Sequence, residues 1–221
     1  MQIRWFGQSA FLFTGAEGRV FVDPFGRGMA ERAQAWNSSW SYPEIEGVDA
    51  DLLLVTHDHF DHHGVEVVGG DPTLVRTAGT HETPIGEVVG IASEHDDVAG
   101  TTRGPNTIFR FALDGVTVAH FGDFGQPALR PEQRAALGDV DVVLFPVGGG
   151  PTTPAAAGAA LLHELGPRLL VPMHYRSNRI GFLDPPEPYF DAIGWPVDEV
   201  PSTESEVTLG NAPSVLKLTF T

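Results

Sequence analysis

Thr56-His57-Asp58-His59-Phe60-Asp61-His62-His63 places four histidines and two aspartates in eight consecutive positions, directly after the apolar run Leu52-Leu53-Leu54-Val55. A short apolar run that ends in a dense polar turn reads as a buried strand. It delivers side chains at its C-terminal edge, where α/β-type sheets place their chemistry. So many titratable groups at one strand end would be costly to bury unpartnered, and imidazole nitrogens with carboxylate oxygens suit zinc, manganese or iron. His57 and His59, one residue apart, can reach one ion if the loop turns between them. Asp61 and His62 can then serve a second ion, about 3.5–4 Å from the first as in two-metal hydrolases.

The composition narrows the alternatives. With no cysteine in 221 residues, thiolate metal sites, disulfides and cysteine nucleophiles are excluded, so any metal sits on nitrogen and oxygen. A hydrophobic content of 42% supports a real core, and the length favours one domain over 1–221. The net charge of −16, from 13 basic and 29 acidic residues, repels polyanions. Nucleic acid and anionic membranes are therefore not expected as partners, and a small-molecule substrate is. The N-terminal stretch Met1-Gln-Ile-Arg-Trp-Phe-Gly-Gln8 lacks a signal-peptide pattern, so a cytoplasmic protein is expected. The sequence carries no signature of an oligomeric state.

Further strands end at polar residues. Val88 to Ala92 leads to His95, Val116 to His120 leads to Gly122-Asp123, and Leu169 to Pro172 leads to His174. The tally is one subsite of His57, His59 and His95, a second of Asp61, His62 and His174, and Asp123 able to bridge. His81 is the rival to His95, but it sits among Gly79, Thr80 and Pro84 as loop residues do.

His-x-His-x-Asp-His, a later histidine, a Gly-Asp and a last histidine, in this order, resemble the metallo-β-lactamase-fold superfamily. More narrowly, the Asp23-Pro24 turn, Ser93-Glu-His-Asp96, Arg103-Gly104 with Asn106, His120-Phe-Gly-Asp123, Pro146-Val-Gly-Gly149 and Pro172-Met-His-Tyr175 resemble the ascorbate-phosphate lactonase-like hydrolases. The similarity runs from about residue 3 to 176. It implies an α+β fold, a four-layer αββα sandwich with a dinuclear site in a cleft at one edge of the two sheets. It implies chemistry rather than substrate.

Two divalent ions, zinc first with manganese or iron as alternatives, would lower the pKa of a shared water. The expected reaction is attack of a metal-bound hydroxide on an ester, lactone or phosphodiester, with Asp61 and Asp123 orienting the nucleophile. Arg103, Tyr175, Arg176 and Arg179 are candidates for binding an anionic or carbonyl substrate, because guanidinium forks match carboxylate and phosphate. Asp23 and His120 are candidates for supporting the ligands, or else a turn residue and a packed histidine; metal-bound water, Tyr175 and His120 are the candidate general acids. Rival readings are a metal-binding protein without turnover and a di-iron redox protein. Redox iron favours a harder set, with a carboxylate where His59 stands.

Elsewhere, Ile3 to Phe6, Ala10 to Phe13 and Arg19 to Val22 read as an antiparallel meander, and Asp114-Gly115 as a hairpin turn. Thr153 and Pro154 fit the N-cap and first position of a helix over Ala155 to Leu165, and Val215 to Phe220 a closing strand. The segment from Phe25 to Val48, with Trp36, Trp40 and Tyr42, fits either a lid over the site or aromatic packing on the core. Gly148-Gly149-Gly150 either presents N–H groups to an anion or allows a tight turn. His63 lies just outside the motif, and His163 falls inside the Ala155–Leu165 helix.

Overall fold

The computed structural model describes residues 1–35 and 37–220, so Trp36 lies outside the described residues. Among the described residues sixteen strands and four α-helices follow one another. The first part runs β1 (Gln2–Gly7), β2 (Ala10–Gly15), β3 (Gly18–Val22), α1 (Met29–Ala35), β4 (Val48–Asp49), β5 (Leu52–Leu54), β6 (Val68–Gly69) and β7 (Thr73–Val75). The second runs β8 (Gly79–Thr83), β9 (Gly86–Glu94), β10 (Pro105–Leu113), β11 (Val116–His120), α2 (Pro131–Leu137), β12 (Val142–Pro146), α3 (Ala155–Leu165) and β13 (Leu169–Met173). The last comprises α4 (Glu187–Ile193), β14 (Val197–Val200), β15 (Glu204–Glu206) and β16 (Ser214–Leu218).

The strands form a six-stranded sheet in the order β15-β1-β2-β3-β5-β7, an eight-stranded sheet in the order β14-β16-β13-β12-β11-β10-β9-β8 and a two-stranded pair β4-β6. In each of the two larger sheets, an antiparallel meander joins a parallel part: β3, β5 and β7 are parallel, as are β11, β12, β13, β16 and β14. The parallel strands Leu52–Leu54, Val142–Pro146 and Leu169–Met173 are buried along their whole length. Continuous apolar runs are what a sheet covered on both faces requires. Between the sheets, Phe13 meets Phe111 edge to face at 5.3 Å, and Phe11, Phe21 and Phe109 are fully buried beside them. Tyr189 of α4 packs against Phe145 of β12, and α4 lies on α3. Among the described residues no helix is long and apolar enough to cross a membrane.

Several local expectations are corrected. Of the two readings of the 25–48 segment, its described aromatics show core packing: Trp40 and Tyr42 pack with Phe25 and Phe220 at ring distances of 5.0–5.3 Å. His81 lies on edge strand β8 rather than in a loop. Pro154, not Thr153, caps α3, because the Thr153 hydroxyl donates instead to the carbonyls of Phe124 and Gln126. Asp114 and Gly115, at φ +52° and +72°, make the expected β10–β11 hairpin turn.

The glycine run after β12 allows a tight turn. Gly149 and Gly150 have φ of +54° and +50°, and a Cβ on Gly148 would stand 2.1 Å from the carbonyl oxygen of His174. Because that obstacle is backbone, Gly148→Ala is expected to destabilise the fold by about 1–3 kcal/mol, the usual cost of overpacking. Thermal unfolding of the variant checks this, and an unchanged melting temperature would contradict the tight approach of the two loops.

Candidate metal centre

The ligand candidates stand just past the C-terminal ends of four strands, one in the six-stranded sheet and three, not adjacent, in the eight-stranded sheet. His57, His59, Asp61 and His62 follow β5, His95 follows β9, Asp123 follows β11 and His174 follows β13. Strands of both sheets therefore end on one cluster. Three groups of side chains bring their ligand atoms within 4.8 Å of one another: His57, His59, His95 and Asp123; Asp61, His62 and His174; and Asp23, His57 and His62. The first two match the expected subsites. At their junction, Asp123 Oδ2 stands 3.0 Å from His95 Nε2, 3.1 Å from His174 Nε2, 3.3 Å from His62 Nε2 and 3.9 Å from His57 Nε2.

The outward-facing nitrogens explain why the inner ones converge. Thr56 Oγ1 donates to Asp23 Oδ2 at 2.7 Å, which leaves its lone pair to accept from His57 Nδ1 at 2.9 Å. His62 Nδ1 donates to Asp23 Oδ2 at 2.8 Å, and His95 Nδ1 donates to the Pro151 carbonyl at 3.1 Å. A neutral ring that donates through Nδ1 keeps its lone pair on Nε2, so in their neutral forms His57, His62 and His95 would each present an unprotonated nitrogen to the centre. His57 Nε2 also lies 3.0 Å from His59 Nδ1, an approach of two ring nitrogens that a shared ion would explain.

The charge balance also calls for a cation. Burial, reinforced by the neighbouring His62, holds the His57 pKa well below its ordinary value, and burial with His95 lowers His59. Burial opposes charge on His62 too, but the carboxylates of Asp123, Asp61 and Asp23 outweigh it and hold this pKa well above the ordinary value. Burial would raise Asp123, yet His174 and His62 pull it well below the usual carboxylate range. Among the described residues, His62 Nε2, Asp123 Oδ1 and His174 Nδ1 of the cluster, with Gln8 Oε1 beside it, are buried and without a hydrogen-bond partner. Orphaned acceptors around a buried carboxylate fit divalent ions held by nitrogen and oxygen.

Asp23 supports the cluster: besides His62 and the Thr56 hydroxyl, it accepts from the Thr56 backbone N–H at 2.8 Å. His120 acts on backbone. Its Nδ1 accepts from Gly122 N–H at 3.2 Å and its Nε2 donates to the Ser9 carbonyl at 3.0 Å, so both ring nitrogens are used and it holds the turn that carries Asp123. It has no proton to offer a leaving group. Asn106 steadies the same turn by accepting from Asp123 N–H at 3.1 Å. Three non-glycine residues with positive φ are buried here, Gln8 at +53°, Asp23 at +50° and His174 at +50°. Such conformations gather where a site over-determines the backbone.

Of the substrate candidates, only Arg103 lies on the cleft beside the cluster, a space of about 680 Å³ lined also by His57, His59, Ser93 and Asn106. Tyr175 is corrected: it is buried, stacked on Trp5 at 5.8 Å, and its hydroxyl donates to the Leu218 carbonyl at 3.4 Å, away from the cluster. Arg176 Nε donates to the Leu183 carbonyl at 2.6 Å and lines a separate cavity with Tyr175. Arg179 donates to the Ser41 carbonyl and lies over the Phe220 ring. His81 Nε2 reaches the Thr77 carbonyl, His63 is partly exposed beside Asp58, and His163 packs edge to face on Trp195. One participant went unread in the sequence: Gln8, whose Nε2 donates to Asp61 Oδ2 at 2.9 Å.

A sandwich whose strand ends carry this His/Asp cluster defines a class, and the comparison with known families agrees. The family described as "Beta-lactamase superfamily domain" matches residues 2–174. The chain belongs to the metallo-β-lactamase superfamily, and the αββα sandwich is its fold. Within it, the chain is 30% identical over 209 residues to a UPF0173 metal-dependent hydrolase of Thermococcus kodakarensis, covering 80% of this chain and 85% of that protein. It is 31% identical over 210 residues to one of Pyrobaculum calidifontis, covering 84% and 88%. The protein is thus a metal-dependent hydrolase of this family. Among solved structures, a metallo-β-lactamase superfamily protein of Thermotoga maritima aligns with a TM-score of 0.78 over 98% of this chain and 97% of its own, at 24% identity.

Proposed function

We propose that the protein is a dinuclear hydrolase of a small-molecule ester, lactone or phosphodiester. His57, His59 and His95 form one subsite, Asp61, His62 and His174 the other, and Asp123 is shared. The observation that carries this is the single oxygen, Asp123 Oδ2, within 3.9 Å of four imidazole Nε2 atoms and flanked by both triads. Bound divalent ions, zinc first on this donor set, supply positive charge that lowers the pKa of water and polarises a carbonyl or phosphoryl oxygen.

The remaining work belongs to the chain. Asp123 Oδ1, buried and unpartnered, and the carboxylate of Asp61 are the acceptors that orient an attacking water. Arg103 lies on the cleft wall, and its guanidinium makes no hydrogen bond or ion pair among the described residues, so it is available to the substrate's oxygens. Turnover is favoured over a purely structural metal site because half-buried His59 faces an open cleft, whereas structural sites are closed. The histidine-rich donor set favours hydrolysis over iron redox chemistry. The net charge of −16 favours a small molecule over nucleic acid.

The test is metal content of protein purified without chelator, with rates on lactone, carboxyl-ester and bis-phosphodiester panels. Two ions per chain and turnover lost on chelation and restored by zinc, manganese or iron are expected. Chelation is also expected to lower stability by about 2.7 kcal/mol for each ion that had been present at 100 times its Kd. For a chain of this size that is a fall of about 5–11 °C in Tm per ion. Full turnover by metal-free protein would refute the proposal.

A further inference from the structure

The β1–β2 connection Gly7-Gln8-Ser9 reaches three site-bearing elements at once. The Gln8 carbonyl accepts from His174 N–H at 3.3 Å and from Trp5 Nε1 at 3.0 Å, the Ser9 carbonyl accepts from His120 Nε2 at 3.0 Å, and the Gln8 side chain donates to Asp61 Oδ2 at 2.9 Å. Gln8 is fully buried in the left-handed region, at φ +53°. A main chain that needs this conformation is served best by glycine or asparagine. All its main-chain contacts would survive any side chain, so the glutamine is explained by what its amide touches, and that is Asp61.

The same oxygen, Asp61 Oδ2, lies 3.6 Å from His62 Nε2 and 3.9 Å from His174 Nε2, its partners in the second triad. We propose that Gln8 is a positioning residue for the second metal subsite. It fixes the carboxylate of Asp61 through one N–H donor so that the opposite lone pair faces the point between His62 and His174. Resting on the two-subsite reading above, the proposal adds an asymmetry. In the subsite of His57, His59 and His95 two of the rings are held by Thr56 and Pro151, whereas in the second the ring of His62 is held by Asp23 and the carboxylate of Asp61 depends on an amide from the β1–β2 turn of the same sheet.

Gln8→Met keeps the side-chain volume and removes the donor, and Gln8→Gly removes the donor and relieves the backbone. In both, zinc affinity measured by competition with a chromogenic chelator is expected to fall about 10–100-fold for one ion, the usual effect of losing a group that orients a ligand. The other ion is expected to bind within about two-fold of wild type, since its own ring-holding contacts are untouched. Circular dichroism of the metal-free variants reports folding. Folded variants that bind both ions as wild type does, or that lose both equally, would overturn the proposal and leave the two-subsite reading intact. Wild-type protein that binds only one ion would overturn both.

Discussion

Asp123→Asn is expected to reduce turnover to background and to weaken both ions by more than the 10–100-fold typical of a supporting residue. The substitution keeps the side-chain volume, so packing between Phe121 and Phe124 is preserved, but it removes the one negative charge that four imidazoles share. Each ring nitrogen would then face an amide that is neutral and donates through half of its polar atoms. Because the oxygen is common to both triads, the two ions are expected to weaken together, unlike the one-sided loss expected for Gln8. Isothermal titration with zinc, alongside the rate on whichever substrate panel responds, measures both effects. His81→Ala is the control, since this residue sits on edge strand β8 and reaches only the Thr77 carbonyl. An Asp123→Asn protein holding two ions with wild-type affinity would remove the shared-ligand assignment.

Asp23→Ala is expected to cost about 3–5 kcal/mol in the metal-free protein, the range for breaking a buried ion pair. Asp23 and His62 are both fully buried and 2.8 Å apart, and the carboxylates around His62 favour its charged form when no ion is present. The variant also orphans the buried Thr56 N–H and frees the hydroxyl that orients His57. Two ligands lose their orientation, so affinity for metal is expected to fall by about 10–100-fold. Asp23→Asn separates the two effects: its carbonyl can still accept from Thr56 N–H and it tolerates the φ of +50°, but it no longer balances a charged His62. Urea unfolding of chelated wild type and both variants measures the difference, and equal midpoints for all three would contradict the role given to Asp23.

Adjacency in sequence explains one error of the sequence reading. Tyr175 follows His174 beyond the end of β13, and the left-handed turn at His174, φ +50°, leaves the Tyr175 ring on Trp5 rather than at the cluster. The short helices α1, α2 and α4 span seven residues each, about two turns, too few for an apolar period to stand out. Thr153 has the composition of an N-cap, but a hydroxyl spent on Phe124 and Gln126 belongs to tertiary structure. Gln8 gave no signal because Gly7-Gln8-Ser9 reads as an ordinary hairpin turn, and its partner lies 53 residues further on.

By itself, the sequence determined the chemistry of the site: with no cysteine and six histidine or aspartate residues in eight positions, only a nitrogen and oxygen metal centre remained. It also determined that strands end at His95, Asp123 and His174, since each follows an apolar run. Which nitrogen of each ring faces the centre, that Asp123 meets four imidazoles through one oxygen, and that Gln8 and Asp23 hydrogen-bond to Asp61 and His62 were decided only by tertiary structure. The reason is physical. Ligand type and strand ends are properties of neighbouring residues, whereas a tautomer, an oxygen shared by several rings and a supporting hydrogen bond each depend on a partner that the folded sheets bring from a distant part of the chain.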